Sequence, residues 1–419
     1  MNITRFDPDL IHLELLGDDE RGYDFLDENR LLELKRFTSD HGVLSVYADL
    51  GEGAATALTR YRNAIKALRE THESEWDHEQ KQQFDALAEE VGERLEKLFE
   101  RPRGKGPALF IAPGRLLVKK GKLDHELLRV FHLPDAPRDE VSWGNTPALT
   151  QLLLQQDEHP QTGVVLFNRE ELRFFLYYMG EAAEYAVKLD NPEVVPLNKS
   201  HNWHGYGTHN HQQWQQEHYN RYLRQAAIAV SKLADRAGWK WLVLASPDEQ
   251  EAKHLAELLP AQWSSRLIGT RALPMTASLN DVRDAVAPVV AEAERKEEKE
   301  TLEQWVNELE RPDGRAVAGL ADTVEAVQEY RVLHFIADSD FSHAGWQCGD
   351  CGSLIADLQD QAPQACPYCE SASLTQRADI IGDLALQVIN SGGHAEIVRD
   401  EENRKVISGH GQVGGLLRY

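Results

Sequence analysis

Apolar and polar positions along the first third of this chain follow helical and strand spacings in turn. Amphipathic helical spacing covers 26–37, 53–71 and 76–99, and an apolar run typical of a buried strand covers 42–50. The two longer helices each place their apolar side chains on one face, as a surface helix does when it packs on a core. The predicted core residues are Leu58, Tyr61, Ile65 and Leu68 in the first of them and Phe84, Leu87, Val91, Leu95 and Leu98 in the second. We therefore predict a strand with helices packed against it in this region.

The same alternation continues to the C-terminus. Two strands are predicted on either side of a turn at 168–170, and a long helix from about His211 leads into a buried strand at 239–246. A charged helix at 281–310 and a helix pair at 314–330 follow. The remaining predictions are helices at 146–155, 248–259 and 377–390, and strands at 265–270, 331–338, 394–398 and 404–408.

Two breaks in the pattern divide the chain. A segment rich in Pro, Asp and Gly at 133–145 and a second break at 311–314 mark the predicted boundaries. A chain of 419 residues is longer than one hydrophobic core usually serves. We predict an α/β protein of three domains, at 1–138, 139–312 and 313–419.

Residues 201–218, HNWHGYGTHNHQQWQQEH, cannot form a core element because buried polar groups need partners that so polar a run would lack. We predict a projecting loop in the second domain, mounted on the long helix. Its histidine, aromatic and amide side chains are of the kind that recognise RNA tips by stacking and hydrogen bonding. The candidate RNA-binding residues are His201, Trp203, His204, Gly205, Tyr206, Gly207, Thr208, His209, Asn210, His211, Gln212, Gln213 and Trp214.

The formal net charge of −24 argues against a protein that coats nucleic acid along its length. The segment 101–122 is instead positively charged. It contains the predicted hairpin of 108–112 and 115–120. The hairpin is either a solvated basic surface that balances acidic helices or a surface that faces RNA phosphates. Its basic residues are Arg101, Arg103, Lys105, Arg115, Lys119, Lys120 and Lys122.

The sequence contains no apolar run of membrane-spanning length, and its first sixteen residues lack the order of a signal peptide. We expect a cytoplasmic protein that binds neither membrane nor DNA.

All four cysteines fall within 348–369, as Cys348, Cys351, Cys366 and Cys369. Two Cys-x2-Cys pairs are typical of a tetrahedral four-thiolate zinc site. We predict one structural Zn²⁺ per chain in a ribbon at 346–372, with an iron site or free thiols as the alternatives. Four thiolates would leave no open coordination position for catalysis.

Three motifs resemble the archaeal and eukaryotic release factor and Pelota family. The ending GQVGGLLRY at 411–419 resembles the close of the family's last domain, and 319–338 resembles that domain's helix and first strand. The family's exposed loop begins His-Gly, contains Gly-Gly-Gln and leads into a long helix and a VLVLAS-type strand. Here His204-Gly205 stands in that place, and WLVLAS follows the helix. The resemblance covers the middle and last domains and is looser over the first.

This resemblance implies a three-domain release-factor-like architecture, with the zinc ribbon inserted in a C-terminal α/β sandwich domain. It implies binding in the A site of the 70S ribosome, with the first domain towards the decoding centre. The loop would then lie at the peptidyl transferase centre among ribosomal RNA, beside P-site tRNA. It also implies a translational GTPase of the elongation factor Tu class as partner of the last domain.

The loop departs from the family at its catalytic motif. Gly207-Thr208-His209 stands where Gly-Gly-Gln would be, and the stop-codon-reading motif of the first domain has no convincing counterpart. The first hypothesis is therefore a non-catalytic A-site occupant of idle or stalled ribosomes, a hibernation factor. The second is a peptidyl-tRNA hydrolase in which Gln212 or Gln213 orients water. The third is a metal-dependent enzyme that uses His201, His204, His209, His211 and Glu217.

Overall fold

The structure is a computed structural model that describes residues 15–16, 22–72, 76–114, 124–190, 208–357, 363–377 and 379–419. For 15–16, 28, 79, 186–190 and 208–216 it describes the backbone only. Among the residues described, no helix has the length and apolar character needed to cross a bilayer.

Mixed α/β elements fill the described chain. Those of the first part are β1 (Leu15–Leu16), α1 (Glu28–Arg36), β2 (Val43–Tyr47), α2 (Ala54–His72), α3 (His78–Glu100), β3 (Gly106–Pro113), β4 (His125–Leu133) and β5 (Glu140–Gly144). Those of the middle part are α4 (Thr150–Glu158), β6 (Thr162–Phe167), β7 (Glu171–Tyr178), β8 (Glu181–Asp190), α5 (Thr208–Ala237), β9 (Trp241–Ser246), α6 (Glu249–Glu257), α7 (Ala261–Ser264), β10 (Leu267–Ala272) and α8 (Leu279–Leu309). Those of the last part are β11 (Ala316–Ala318), α9 (Leu320–Gln328), β12 (Val332–Asp338), β13 (Gly345–Cys348), β14 (Leu354–Ala356), β15 (Leu374–Arg377), α10 (Ile381–Asn390), β16 (His394–Val398), α11 (Glu401–Ser408) and β17 (Val413–Leu417).

The strands form four sheets. The first sheet has the order β4-β3-β2-β5 and is antiparallel throughout, and helix α3 covers it with the predicted Phe84, Val91 and Leu95. The second has the order β1-β8-β7-β6-β9-β10, in which β6, β9 and β10 run parallel. The third has the order β11-β17-β12-β16, and the cysteine segment forms a small fourth sheet, β14-β13-β15.

Hydrophobic cores join these sheets across the predicted boundaries. One cluster contains Phe110 and Phe131 of the first sheet together with Val165 and Phe174 of the second. At the other end, Trp305 of α8 is fully buried in a cluster with residues of the third sheet. The indole Nε1 of Trp305 donates to the Val317 carbonyl oxygen at 3.0 Å. Helix α8 therefore connects the second sheet to the third.

Two sequence predictions in the first part are corrected by strand pairing. Strand β3, which contains 108–112, pairs with β4 and β2, so β4 takes the place predicted for 115–120. Residues 115–120 lie outside the described chain. The segment 133–145, predicted as a linker, supplies β5 at the edge of the first sheet.

Three further predictions are corrected by backbone geometry and capping. Segment 314–330 is a strand and a helix rather than a helix pair, because Gly319, at φ +84°, separates β11 from α9. Segment 404–408 belongs to helix α11, since the Asp400 side chain accepts from the amides of Glu402 and Asn403 and caps its first turn. Strand β8 was not predicted, and it follows a tight turn in which Met179 and Gly180 both have positive φ.

Candidate functional site

Helix α5 positions the predicted RNA-binding stretch. Its buried face, which includes Leu223, Ala226 and Val230, packs in the core that the first two sheets share. The helix backbone begins at Thr208, three residues before the predicted start at His211. The predicted loop 201–218 is therefore helical from Thr208 onward, and 201–207 lie outside the described residues.

This earlier start places Thr208, His209, Asn210, His211, Gln212, Gln213 and Trp214 on the helix backbone. Their side chains lie outside the described part of the structure, as do His201, Trp203, His204, Gly205, Tyr206 and Gly207 entirely. The helix can begin here because Thr208, His209 and Asn210 tolerate helical angles, whereas consecutive glycines at this point would favour an open loop. RNA contacts by these residues stay a prediction.

The basic residues of the first sheet occupy three kinds of position. Arg101 is exposed at the C-cap of α3, and Lys105 is exposed while its amide donates to the Leu133 carbonyl oxygen at 2.8 Å. Arg103 is different, because its side chain is only 11% exposed and forms an ion pair with Glu181 of β8. Arg103 therefore connects the first sheet to the second, a role that we did not predict. Arg115, Lys119, Lys120 and Lys122 lie outside the described residues.

The four predicted cysteines come together at one end of the fourth sheet. Their sulfur atoms all lie within 4.8 Å of one another. The Cys348 and Cys369 sulfurs are 3.5 Å apart, the Cys351 and Cys366 sulfurs are 3.6 Å apart, and all four cysteines are free. This arrangement brings one sulfur of each Cys-x2-Cys turn against one of the other.

Backbone hydrogen bonds shape each turn of this cluster. The Gly352 amide donates to the Cys348 carbonyl oxygen at 3.0 Å, and the Glu370 amide donates to the Cys366 carbonyl oxygen at 2.9 Å. Gly352 and Glu370 both have positive φ, which lets each chain fold back around its sulfurs. The Ser353 hydroxyl, 3.2 Å from the Cys351 sulfur, and the Ser353 amide lower the pKa of that thiol to about 6, whereas the neighbouring sulfurs raise the pKa of Cys369 to about 12. The four converging sulfur atoms, rather than the pKa of any one thiol, form the donor set. The cluster is therefore suited to hold a metal ion through thiolates.

A second group of charged residues lies where the three larger sheets meet. His159, after α4, contacts Asp135 through Nε2 and Glu294 of α8 through Nδ1, both at 2.8 Å. Arg399, after β16, lies 2.7 Å from Glu158 and 3.2 Å from Asp135. We call these five residues the junction network. It connects the three sheets, and no local sequence pattern identified it.

Protonation in the junction network follows from its contacts. Burial disfavours the imidazolium, but hydrogen bonds to Asp135 and Glu294 outweigh burial and raise the pKa of His159 to about 10. Burial alone would raise the pKa of Asp135, but His159 and Arg399 lower it to about 2. Asp135, Glu158 and His159 are close enough to hold a metal ion. Because protonated His159 and Arg399 already neutralise these carboxylates, the network is an ion-paired contact rather than a metal site.

A cleft of about 570 Å³ opens beside the junction network, between the first sheet, α4 and the third sheet. Its arginines are engaged within the protein. Arg138 pairs with Asp379 and donates to the Phe341 carbonyl oxygen at 2.8 Å, and Arg377 pairs with Asp383 at 2.9 Å. The cleft therefore offers few free cations to an anionic ligand.

One family model matches the middle of the chain. Residues 147–294 match the sequence model of the bacterial archaeo-eukaryotic release factor family 10. The match includes the second sheet, α5 and the segment 201–218, and it covers about a third of the chain. None of the curated proteins matches this sequence.

Three solved structures align with most of the chain. Ribosome-bound archaeal Pelota, from a model with ABCE1, is 11% identical, with 97% of this chain and 99% of that chain covered and a TM-score of 0.44. Dom34 of S. cerevisiae, a translation termination-like factor, is 12% identical, with 75% and 81% covered and a TM-score of 0.37. The archaeal termination factor aRF1 is 15% identical, with 93% and 96% covered and a TM-score of 0.26.

Proposed function

We propose that this chain is a ribosome-binding translation factor that occupies the A site of idle or stalled 70S ribosomes without releasing peptide. Its role would be closest to that of the ribosome hibernation factor Balon. The observation that carries this proposal is the release-factor match over 147–294, which includes the predicted RNA-binding stretch. The basic residues of 101–122 would then face the decoding end, and the last domain would dock a GTPase of the elongation factor Tu class.

The residues at the start of α5 support binding without peptide release. Close approach of a backbone to the peptidyl-tRNA ester needs residues without side chains, and the resembled family places two glycines there. Here Thr208 and His209 follow Gly207, and the backbone from Thr208 onward is helical. Gln212 and Gln213 then stand on a helix rather than at the tip of a loop. These features support binding over hydrolysis.

A release assay separates the two functions. Purified protein should co-sediment with 70S ribosomes that carry P-site peptidyl-tRNA, yet release no peptide above the background rate. Changing Gln212 and Gln213 to Ala should leave the absence of peptide release unchanged, and so should the matched change of Gln215 and Gln216. Peptide release that depends on Gln212 or Gln213, but not on Gln215 or Gln216, would establish the hydrolase instead.

We also propose that the four-cysteine cluster holds one structural Zn²⁺. Four sulfurs within 4.8 Å of one another, with no disulfide among them, form the donor set that zinc prefers in structural sites. The ion would contribute folding free energy to the last domain and no catalysis, since all four positions would be thiolates.

Metal analysis of the purified protein tests the zinc assignment. Wild type should contain one zinc per chain, and Cys369→Ser should lose it. Ser353→Ala removes a hydroxyl that touches the Cys351 sulfur without removing a ligand, so it should retain the metal. Full zinc content in Cys369→Ser, or iron in the wild type, would refute the assignment. Two zinc ions per chain would instead favour the histidine-based metal site.

A further inference from the structure

The outer face of helix α5 carries three basic side chains in one line. Arg221, Arg224 and Lys232 are exposed, and Ile228 lies between them with 55% of its surface exposed. Residues three or four positions apart lie on the same side of an α-helix, so these four side chains form one stripe. At about 1.5 Å of rise per residue, the stripe is ~16 Å long. We call it the α5 stripe.

Among the described residues, no carboxylate neutralises the cations of the α5 stripe. Within the described part of the chain, none of the three has a carboxylate at salt-bridge distance. Asp235 lies close to Lys232 in sequence, but its carboxylate accepts from the Gln262 amide at 2.8 Å and the Trp263 indole at 3.0 Å. Acidic side chains outnumber basic ones by 69 to 45 in this protein. Three aligned cations without an acidic partner among the described residues, in so acidic a chain, favour a partner outside the protein.

Other helices of the same protein show what neutralised cations look like. On α2, Arg60 pairs with Asp139 at 3.0 Å and Arg62 pairs with Glu96 at 2.8 Å. On α8, Arg295 pairs with Glu292 at 2.7 Å, and Lys296 and Lys299 each lie within 3.9 Å of a glutamate one turn later. Single exposed cations without an ion pair occur on other described helices too, such as Lys35 on α1 and Lys97 on α3. What distinguishes the α5 stripe is that three such cations lie in one line along the helix.

We propose that the α5 stripe binds the phosphate backbone of ribosomal RNA, with one phosphate contact from each of its three cations. This proposal rests on the proposed function, because α5 continues directly from the segment expected to meet RNA. A rigid helix holds the three charges at fixed spacing, as tracking of a phosphate backbone requires. A duplex carries one phosphate per ~3.4 Å of axis on each strand, so a stripe of ~16 Å spans several phosphates. Ile228 lies within the stripe and makes no charged contact.

The salt dependence of binding tests this proposal. The variant Arg221→Gln, Arg224→Gln, Lys232→Gln keeps an unbranched polar side chain of similar helix propensity at each position while removing three charges. Each phosphate contact releases counterions and contributes roughly 0.7 to 0.9 to the slope of log affinity against log salt concentration. The variant should therefore lower the slope for 70S ribosomes by roughly 2 to 3 and bind at least roughly tenfold more weakly at low salt.

The matched control removes three paired cations, as Arg295→Gln, Lys296→Gln, Lys299→Gln on α8. This control should keep the wild-type slope, and circular dichroism should show that both variants are folded. The proposal would be overturned if the salt-dependence slope of the stripe variant equals that of the wild type. It would also be overturned if the control lowers this slope as much as the stripe variant does. Either result would leave ribosome binding itself intact.

A parallel titration uses purified ribosomal RNA without ribosomal proteins as the probe. The stripe variant should lose slope on this RNA as it does on ribosomes. If the variant lowers the slope on ribosomes but not on the purified RNA, the stripe contacts an acidic protein, which also overturns the proposal. If the wild type fails to bind ribosomes, the proposed function fails, and the RNA titration alone decides the stripe. No RNA binding by the wild type would refute it.

Discussion

Helices α5 and α8 are nearly equal in length, at 30 and 31 residues. They differ in the surroundings of their basic side chains. The cations of α8 lie beside glutamates on its own surface or on neighbouring elements, whereas the α5 stripe has no such partners among the described residues. Both helices bury an apolar face against the second sheet. The difference between them is therefore in what their outer faces contact.

The contacts of α8 are directed inward at both ends. Its first half places Val282, Val286 and Val290 in the core of the second sheet, and its second half buries Trp305 against the third. Between them, Glu294 binds His159, and Glu298 accepts from the Asn403 side chain at 2.5 Å. Helix α8 holds the architecture together. Helix α5 has one buried face for this purpose and leaves its other face to a partner.

The largest effect is expected where α8 enters the third sheet. Trp305→Ala should lower the free energy of unfolding by about 3 to 5 kcal/mol, because it removes a fully buried ring and leaves a cavity. Chemical denaturation measures this change. Glu292→Ala, at an exposed position of the same helix, should change it by less than about 0.5 kcal/mol. A Trp305 effect below about 1 kcal/mol would mean that α8 does not connect the sheets as described.

The next effect is expected in the junction network. His159→Gln should cost about 2 to 3 kcal/mol of stability, because it removes the cation from between two partly buried carboxylates. Glu294→Gln and the double variant complete a cycle that isolates the coupling between the two side chains. A coupling free energy near zero, measured by denaturation, would show that the contact holds nothing together.

The junction network also makes the stability of the protein depend on pH. The folded-state pKa of His159, raised to about 10, lies above the usual value of 6.5 for histidine. Its contribution to stability is therefore complete below about pH 6.5 and is lost as pH rises through 10. The stability difference between wild type and His159→Gln should shrink between pH 6.5 and 10. A difference that grows over this range would have the wrong sign and would refute the charged state assigned to His159.

Sequence predictions succeeded where a feature depends on neighbouring residues. Helical periodicity located α2 and α3, whose predicted core residues Tyr61, Phe84 and Val91 are buried. The spacing of the cysteines predicted that their sulfurs would come together, because each Cys-x2-Cys turn is a local structure. Strand β8 was missed because its segment, EAAEYAVKLD, is rich in Ala and Glu, and its pairing with β7 overrides their helical preference.

Contacts between residues that are far apart in the sequence could not be predicted from it. His159 and Glu294 are 135 residues apart, and nothing near either one indicates the other. The same reason applies to Arg103, which was predicted as an RNA contact but pairs with Glu181 across two sheets. The α5 stripe was predictable in part, since helical spacing from the buried Leu223 and Ala226 places Arg221, Arg224 and Lys232 on the opposite face. That these cations lack acidic partners required the structure.

The smallest expected effect is on the free energy of unfolding of the α5 and α8 charge variants. Removing the three charges of the α5 stripe should change the free energy of unfolding by no more than about 0.5 kcal/mol, since no ion pair is broken within the described chain. The matched α8 variant breaks three helix-surface pairs worth about 0.2 to 0.5 kcal/mol each, so it should be the less stable of the two. Denaturation of both variants at low salt measures the difference, and high salt should reduce it because exposed pairs are screened. The less stable variant should therefore be the one that keeps its affinity for RNA. An α5 variant that loses more stability than the α8 variant would show that the stripe serves the fold.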